Sequence, residues 1–291
     1  SFDWRFDSEP LCVEIEVTAD EILIRDNGVG MSEEVLANAV VLSRKTDAVT
    51  KRKTSRKGMF GLGMKTACAN LGKNWTVFTR TNDAVETLGV TFDLVTWRSN
   101  SGNSNFKWET ELYSLDQTDL DNLSSRGHGT EIRVQKLRDR NPSIGAIGAL
   151  LARAYKGHLE SGDSILINGE KLIPPAYNLL PDSRVDIHLE LKDSDGELLV
   201  TKDGRPCVIT GWAALDHKTH NDDAFGFNLY REGQLVEQWN KSFFRVHLMT
   251  SRMIGEINLD FVSSNFQKKG FDDDSPEWKI AVKALTEYLR P

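Results

Sequence analysis

The chain has 291 residues, of which 39% are hydrophobic and 9% aromatic, as in ordinary soluble globular proteins. This length exceeds what one small hydrophobic core needs, so we expect two domains. The 36 basic and 43 acidic side chains give a net charge of −7, which argues against a protein that coats DNA through its overall charge. No apolar run is long enough to span a membrane, so we expect no membrane partner.

The three cysteines, Cys12, Cys68 and Cys207, are odd in number and far apart in the sequence. This pattern gives neither a disulfide framework nor the ligand spacing of a zinc site. We therefore expect a reducing compartment, namely the cytoplasm, or the nucleus if the organism is eukaryotic.

In the first half, alternating apolar residues predict antiparallel strands at residues 11–17 and 21–25. Ser32 is a suitable N-cap for a helix that follows them. The other elements expected here are a helix at residues 61–71, closed by Gly72 at its C′ position, and strands at 75–81, 87–95, 106–112 and 129–135. Residues 1–140 are thus predicted to form an α+β sandwich of two layers, with helices on a mixed, mostly antiparallel sheet.

In the second half, residues 142–158 are apolar at helical spacing and predict a helix that bridges the domains. The other elements expected are strands at residues 165–167, 185–191, 197–202, 207–215, 225–231 and 256–261, and a helix at 276–289. We therefore predict a second α/β domain over residues 141–291.

Asp26 follows the second predicted strand, in a turn that Gly28 and Gly30 make possible. A carboxylate in this position can accept a hydrogen bond from an exocyclic amine, such as N6 of adenine. The two glycines leave room for a flat ring, against which Met31 can pack. The alternative is an ordinary turn between strand and helix that binds no ligand.

Gly58, Gly61 and Gly63 precede the second predicted helix. Their backbone amides can approach a ligand closely, and the N-terminus of a helix binds phosphate. Lys65 and Thr66 add a cation and a hydroxyl. The alternative is a flexible loop whose glycines only cap the helix. The spacing matches neither a P-loop nor a Rossmann turn.

Together, and in this order, the two motifs resemble those of the GHKL ATPases of Bergerat fold, which include DNA gyrase, MutL, the heat-shock-ninety chaperones, histidine kinases and MORC proteins. In that family the D-x-G-x-G turn binds adenine, and the later glycine-rich segment closes over the phosphates. Residues 127–132 are similar to the family's G-T-x-I strand, whose threonine supports the adenine contact. The resemblance implies ATP and Mg²⁺ as cofactors. It assigns nucleotide binding to Asp26, Gly28, Gly30, Met31, Lys45, Gly58, Met59, Phe60, Gly61, Leu62, Gly63, Met64, Lys65, Thr66 and Thr130.

Residues 43–57 carry seven lysines and arginines and almost no apolar residue. By resemblance this basic segment is a lid over the phosphates. A second interpretation is contact with nucleic acid, because gyrase-like and MORC-like relatives act on DNA. We favour the lid, since a run of charges is usually solvated.

Residues 141–291 resemble the transducer domain, a ribosomal-protein-like α/β fold, of the gyrase, MutL and MORC branches. There a loop lysine reaches the γ-phosphate, a task that suits a point charge on a long stem. Lys268 matches that lysine, and Lys269 is its close rival. The alternative is a solvated loop cation. The closing stretch most resembles MORC-type proteins.

The family places its general-base glutamate and its magnesium-binding asparagine on a helix upstream of the first strand. We expect the given chain, which opens at Ser1, to start just after that asparagine. The given chain should then bind nucleotide weakly and hydrolyse it slowly, while a longer parent is the ATPase.

The resemblance implies an ATP-driven conformational switch that forms a homodimer on nucleotide. It would act in DNA or chromatin handling or in genome defence, with DNA or an effector protein as a further partner. Two other functions stay open: a chaperone module of the heat-shock-ninety kind, and a scaffold that binds nucleotide without hydrolysing it. We expect His128 to be positional rather than catalytic, and His217 and His220 to be solvated rather than metal ligands.

Overall fold

The computed structural model describes residues 9–40, 63–105, 109–115, 127–139, 142–220, 223–263 and 270–290. The chain divides into two compact units. Unit 1 consists of Ser1–Leu150 and His158–Ile173, and unit 2 of Leu151–Gly157 and Pro174–Pro291. None of the described helices is long and apolar enough to cross a membrane.

Unit 1 contains helices and one large sheet. Its elements in chain order are β1 (Cys12–Val17), β2 (Glu21–Asp26), α1 (Glu33–Val40), α2 (Gly63–Leu71), β3 (Gly72–Arg80), β4 (Thr87–Asp93), α3 (Leu94–Ser99), β5 (Leu112–Leu115), β6 (Gly129–Leu137), β7 (Ser164–Ile167) and β8 (Glu170–Lys171). Between β6 and β7 lie α4 (Ile144–Ala154) and α5 (Lys156–Glu160), each of which has residues in both units. Within the described residues the strands form an eight-stranded sheet in the order β5-β4-β3-β6-β2-β1-β7-β8. Every pairing is antiparallel except β1 with β7. The predicted α+β class and the mostly antiparallel sheet are confirmed.

The core of unit 1 lies between the sheet and helices α1 and α2. Successive residues of a strand point to opposite faces, so alternate apolar residues of β2, β3, β4 and β6 meet on one face. Leu36 of α1 and Cys68 of α2 pack against that face. The buried strand residues of this cluster are Ile22, Trp75, Val77, Val90, Phe92, Val134 and Leu137. This face of the sheet, called the inner face below, carries the candidate site.

The predicted boundary at residue 140 differs from the division into units, because the chain returns to the first sheet after α5. β7 pairs with β1 in parallel, with Val13 opposite Ile165. The backbone N–H of Leu11 also donates to the buried carboxylate of Asp163 at 2.9 Å. Parallel pairing joins segments that are distant in sequence, so local patterns give no sign of it.

Gly72 does not cap α2 as predicted. It is the first residue of β3, and it does not adopt the left-handed conformation of a C′ glycine. A Cβ at this position would lie 2.5 Å from the carbonyl oxygen of Gln135. Glycine is therefore required at position 72 because β3 approaches β6 closely there. At this point α2 passes directly into β3.

Two further predictions for unit 1 differ from the structure. The strand expected at residues 87–95 ends at Asp93, whose carboxylate accepts hydrogen bonds from the backbone N–H groups of Val95 and Thr96. This N-cap starts the short helix α3, which the sequence analysis missed. Of the strand expected at residues 106–112, residues 106–108 lie outside the described residues, and β5 begins at Leu112.

Unit 2 contains a second sheet with a helix packed against it. Its elements are β9 (Val185–Glu190), β10 (Val208–Leu215), β11 (Gly226–Arg231), β12 (Gln234–Asn240), a 3-10 helix (Leu248–Arg252), β13 (Met253–Asn258) and α6 (Pro276–Tyr288). The sheet order is β12-β11-β13-β10-β9, with β11 and β13 parallel. Phe227, Phe243 and Ile257 form its core together with Trp278 and Leu285 of α6. A second α/β fold is thereby confirmed.

In unit 2 one predicted strand is wrong and one strand was missed. Residues 197–202 form only isolated bridges, through Leu198 and Val200, rather than a strand. β12 was not predicted, because each of its residues is half-buried and no alternation marks one face.

Candidate functional site

Three polar residues lie opposite one another on three neighbouring strands of the first sheet. Asp26 at the end of β2 pairs with Thr130 of β6, and Thr130 pairs with Thr79 of β3. Side chains that lie directly opposite each other on paired strands share a face of the sheet. We call these three residues the Asp26 row. Each lies two positions from a residue of the inner face: Ile24, Ile132 and Val77, respectively.

The turn after Asp26 is fixed to the neighbouring strand. The carboxylate of Asp26 accepts a hydrogen bond from the backbone N–H of Gly28 at 2.9 Å, which forms an Asx turn. Asn27 accepts from the backbone N–H of Cys12 through its side chain at 2.7 Å and donates from its own N–H to the Cys12 carbonyl at 3.3 Å. The carboxylate of Asp26 is therefore held in one orientation at the end of the strand.

His128, the residue just before β6, supports the same turn. Its side chain is buried, and Nδ1 lies 2.9 Å from the carbonyl oxygen of Gly28. A carbonyl oxygen only accepts, so this hydrogen bond requires the proton on Nδ1. Arg80 Nε donates to the carbonyl of Gly127 on the adjoining segment. These contacts fit the positional role expected for His128.

Two glycines permit the close packing around the Asp26 row. Gly30 has a φ of +70°, and a Cβ there would lie 2.0 Å from the carbonyl oxygen of Arg80. Gly129 has a φ of +127°, and a Cβ there would lie 2.0 Å from the carbonyl oxygen of Asp26. Only glycine lets the turn approach β3, and β6 approach β2, at these distances.

Thr79 is a residue of the site that the sequence analysis missed. Its side chain is 0% exposed. Its hydroxyl accepts from the backbone N–H of Met31 at 2.8 Å, donates to the carbonyl of Gly129 at 3.1 Å and lies 3.2 Å from the hydroxyl of Thr130. Thr79 thus joins the glycine turn to the strand that carries Thr130. Only the register of β3 against β6 brings it there.

The start of α2 is described from Gly63 onward. Gly63 and Thr66 are exposed, and the Thr66 hydroxyl donates to the Gly63 carbonyl at 3.1 Å. Met64 packs against the core, as the side chain of Met31 does. Lys65 is only 5% exposed, and its Nζ donates to the carbonyl of Ala39 in α1 at 2.8 Å.

Lys65 therefore ties the end of α1 to α2 in this structure. Burial lowers the pKa of its ammonium group, because the charged form loses hydration. Its expected contact with phosphate stays a prediction.

Residues 6–130 match the family model of histidine kinase-, DNA gyrase B- and HSP90-like ATPases. The match supports a GHKL-type ATPase domain. It covers the whole Asp26 row and the start of α2, and it supports ATP binding and hydrolysis at the level of that family. No curated protein matches the chain significantly.

Several of the predicted site residues lie outside the part of the chain that the structure describes. They are Lys45, Gly58, Met59, Phe60, Gly61, Leu62, Lys268 and Lys269, together with the whole expected lid at residues 43–57. The structure brings together Asp26, Gly28, Gly30, Met31 and Thr130, which are the residues expected to hold the base.

The outer face of the sheet in unit 1 holds an ionic network directly behind the Asp26 row. Glu131 is 2% exposed, and its carboxylate accepts from Arg25 Nε at 3.0 Å and from Arg133 Nη2 at 2.8 Å. Arg25 also contacts Glu16 at 2.6 Å. Although burial opposes it, hydrogen bonds to Glu131 and Glu16 raise the pKa of Arg25. The network joins β2 to β6 next to Asp26 and Thr130.

The described part of the chain contains no group of three or more His, Cys, Asp or Glu side chains that could hold a metal ion. His220 Nε2 lies 3.3 Å from Asp216 in unit 2, without a third such ligand among the described residues. The structure therefore assigns no protein ligands to a magnesium ion.

Proposed function

We propose that this chain binds ATP in unit 1 and acts as a nucleotide-driven conformational switch. The observation that carries the proposal is the Asp26 row, in which a half-buried carboxylate and a threonine hydroxyl stand side by side on the inner face. The match of residues 6–130 to an ATPase family supports the same ligand.

The chemistry of the row suits the base of ATP. The carboxylate of Asp26 accepts hydrogen bonds only, and the 6-amino group of adenine offers two donors. Because the Asx turn, Asn27 and His128 already fix the turn, little conformational entropy is lost when the base binds. The site is thus preorganised for an amino-substituted flat ring.

Phosphate binding is proposed at the start of α2. Gly63 is exposed there, and among the described residues no atom outside its own helix lies within 4 Å of the position of a Cβ. A helix N-terminus offers unpaired N–H groups and the positive end of its dipole to phosphate oxygens. By resemblance, residues 43–57 order over the γ-phosphate and Lys268 or Lys269 contacts it.

Magnesium belongs to the proposal through the resemblance alone. Bound Mg²⁺ offsets the phosphate charge during phosphoryl transfer, and phosphate oxygens and water can supply most of its ligands. For hydrolysis, the family's upstream glutamate would orient the attacking water.

The biological role we propose is ATP-dependent dimerisation in DNA or chromatin handling or in genome defence. It is supported by the order of the two glycine motifs and by the second α/β unit, which resembles the transducer of the gyrase, MutL and MORC branches. Light scattering with a non-hydrolysable ATP analogue should show a doubling of mass, and DNA should stimulate turnover. Turnover that does not respond to DNA would favour the chaperone alternative.

The proposal is tested by isothermal titration of ATP and ADP, with and without Mg²⁺. Asp26→Asn should weaken ATP binding at least about tenfold, because a hydrogen bond to a charged acceptor contributes roughly 1.5–3 kcal/mol. Asp20→Asn, at an exposed position in the turn between β1 and β2, is the matched control and should bind within about twofold of wild type. Unchanged binding by Asp26→Asn would refute the adenine assignment. ATP binding without turnover in a longer chain would favour the scaffold alternative.

A further inference from the structure

The hydroxyl of Thr79 makes three hydrogen bonds in a fully buried position, and its capacity limits their directions. A threonine hydroxyl has one proton to donate and two lone pairs to accept with. The backbone N–H of Met31 can only donate, so one lone pair of Thr79 is used there. The carbonyl of Gly129 can only accept, so the proton of Thr79 points to it. In the contact at 3.2 Å with Thr130 either hydroxyl can donate by geometry alone, and with the Thr79 proton on Gly129 this contact uses the second lone pair of Thr79.

It follows that Thr130 donates its own proton to Thr79. In the opposite arrangement Thr79 would donate to Thr130 instead of to the Gly129 carbonyl. The carbonyl oxygen is the closer acceptor, at 3.1 Å from the Thr79 hydroxyl, whereas the Thr130 hydroxyl lies at 3.2 Å. An amide carbonyl is also a stronger acceptor than a hydroxyl. The direction from Thr130 to Thr79 is therefore preferred.

We propose that Thr79 is a positioning residue for base selection, which fixes the hydroxyl of Thr130 as a hydrogen-bond acceptor toward the ligand. With its proton held by Thr79, Thr130 presents lone pairs beside the carboxylate of Asp26, its neighbour in the pairing of β2 with β6. The row then offers acceptors only. A 6-amino purine supplies two donors to such a row, whereas a 6-oxo purine directs a carbonyl oxygen at it. This inference rests on the proposed nucleotide site and adds to it the means of discrimination.

The test compares the affinity for ATP with the affinity for inosine triphosphate, which carries an oxygen in place of the 6-amino group. Thr79→Val keeps the shape of the side chain but removes the hydroxyl, so Thr130 becomes able to rotate and donate to the oxo group. The ratio of ATP to inosine triphosphate affinity should fall about tenfold or more. Thr79→Ser retains the hydroxyl and should keep the wild-type ratio. If the role of Thr79 were purely structural, Thr79→Val would weaken the binding of both nucleotides equally. An unchanged ratio of affinities in Thr79→Val therefore overturns the inference.

A second variant decides the matter if Thr79→Val does not fold. Thr130→Val removes the acceptor itself and should lower the same ratio about fivefold or more, while an unchanged ratio overturns the inference. Where Thr79→Val folds, the double variant should have the ratio of Thr130→Val alone, since Thr79 acts through Thr130. A ratio in the double variant below that of Thr130→Val would show that Thr79 acts on the base by another route, and it would also overturn the inference.

The Asp26→Asn titration separates failure of this inference from failure of the proposed function. If Asp26→Asn leaves ATP binding unchanged, the base does not bind at the row and both proposals fall. If Asp26→Asn weakens ATP binding as expected while Thr79→Val retains the wild-type ratio, the nucleotide site stands and only the role of Thr79 is refuted.

Discussion

At the residue scale, Gly30 decides whether the turn can close against β3. Its φ is +70°, and a Cβ would meet the carbonyl oxygen of Arg80 at 2.0 Å. Gly169, in the turn between β7 and β8, is a matched control in the same unit, because its φ is +83° and no other described residue has an atom within 4 Å of its Cβ position. Gly169→Ala should cost only the left-handed backbone penalty of about 1–2 kcal/mol.

Gly30→Ala should cost roughly 1–3 kcal/mol more than Gly169→Ala, because it adds a clash with backbone that cannot move aside. Urea unfolding of both variants measures the difference in the free energy of unfolding. ATP affinity should fall in Gly30→Ala alone, since the clash displaces the turn that bears Asp26. Equal destabilisation by the two variants would contradict the packing described for Gly30.

The cysteines provide a second test at this scale. Burial raises the pKa of Cys68 to about 11, because the thiolate would lose hydration where α2 packs against the sheet. Burial also raises the pKa of Cys207, whereas Cys12 is half-buried. At pH 8 only roughly a thousandth of Cys68 is thiolate, so a disulfide reagent should label Cys12 first and Cys68 only on unfolding. Fast labelling of native protein that disappears in Cys68→Ser would contradict this.

The sequence could predict the Asp26 turn and Thr130, because short motifs identify them. It could not predict Thr79, whose neighbours Met31 and Gly129 are distant in sequence and meet it only through strand register. Nor could it predict that Lys65, expected to face phosphate, would donate to the Ala39 carbonyl, because that contact depends on how α2 packs against α1.

At the scale of the elements, β2 and β6 are held together by the ionic network behind the Asp26 row. Glu131→Gln should destabilise unit 1 by about 3 kcal/mol, at the low end for a buried pair because Arg25 is 20% exposed. Chemical denaturation measures the effect, and Glu170→Gln at an exposed position of β8 is the control. A double-mutant cycle of Glu131→Gln with Arg25→Gln should give a coupling energy of about 1–3 kcal/mol between the two side chains. No coupling would mean that the network does not join the strands.

The elements show where local patterns suffice. Alternating apolar residues correctly predicted β1, since this strand buries one regular face. The strand expected at residues 21–25 and the helix expected at 276–289 are confirmed as β2 and α6. The patterns failed at Gly72, where a helix passes straight into a strand and the glycine serves close strand packing rather than a cap. They failed again at β12, whose residues are all half-buried and show no alternation.

At the scale of the whole molecule, the sequence predicted two α/β folds, and the structure has two sheets with separate cores. The division into compact units differs from the predicted boundary at residue 140, because β7 joins the first sheet through parallel pairing with β1, which local sequence patterns do not reveal. The net charge of −7 is consistent with a ligand site defined by a few convergent groups rather than by overall charge.

The most direct test of the account is a crystal structure of the protein with a non-hydrolysable ATP analogue and Mg²⁺. We expect the 6-amino nitrogen of adenine within about 3 Å of an oxygen of Asp26, with the ring beside Gly30 and Thr130. The triphosphate should extend toward the start of α2. A nucleotide bound elsewhere, or a base turned away from Asp26 with protein side chains filling the row, would contradict the account.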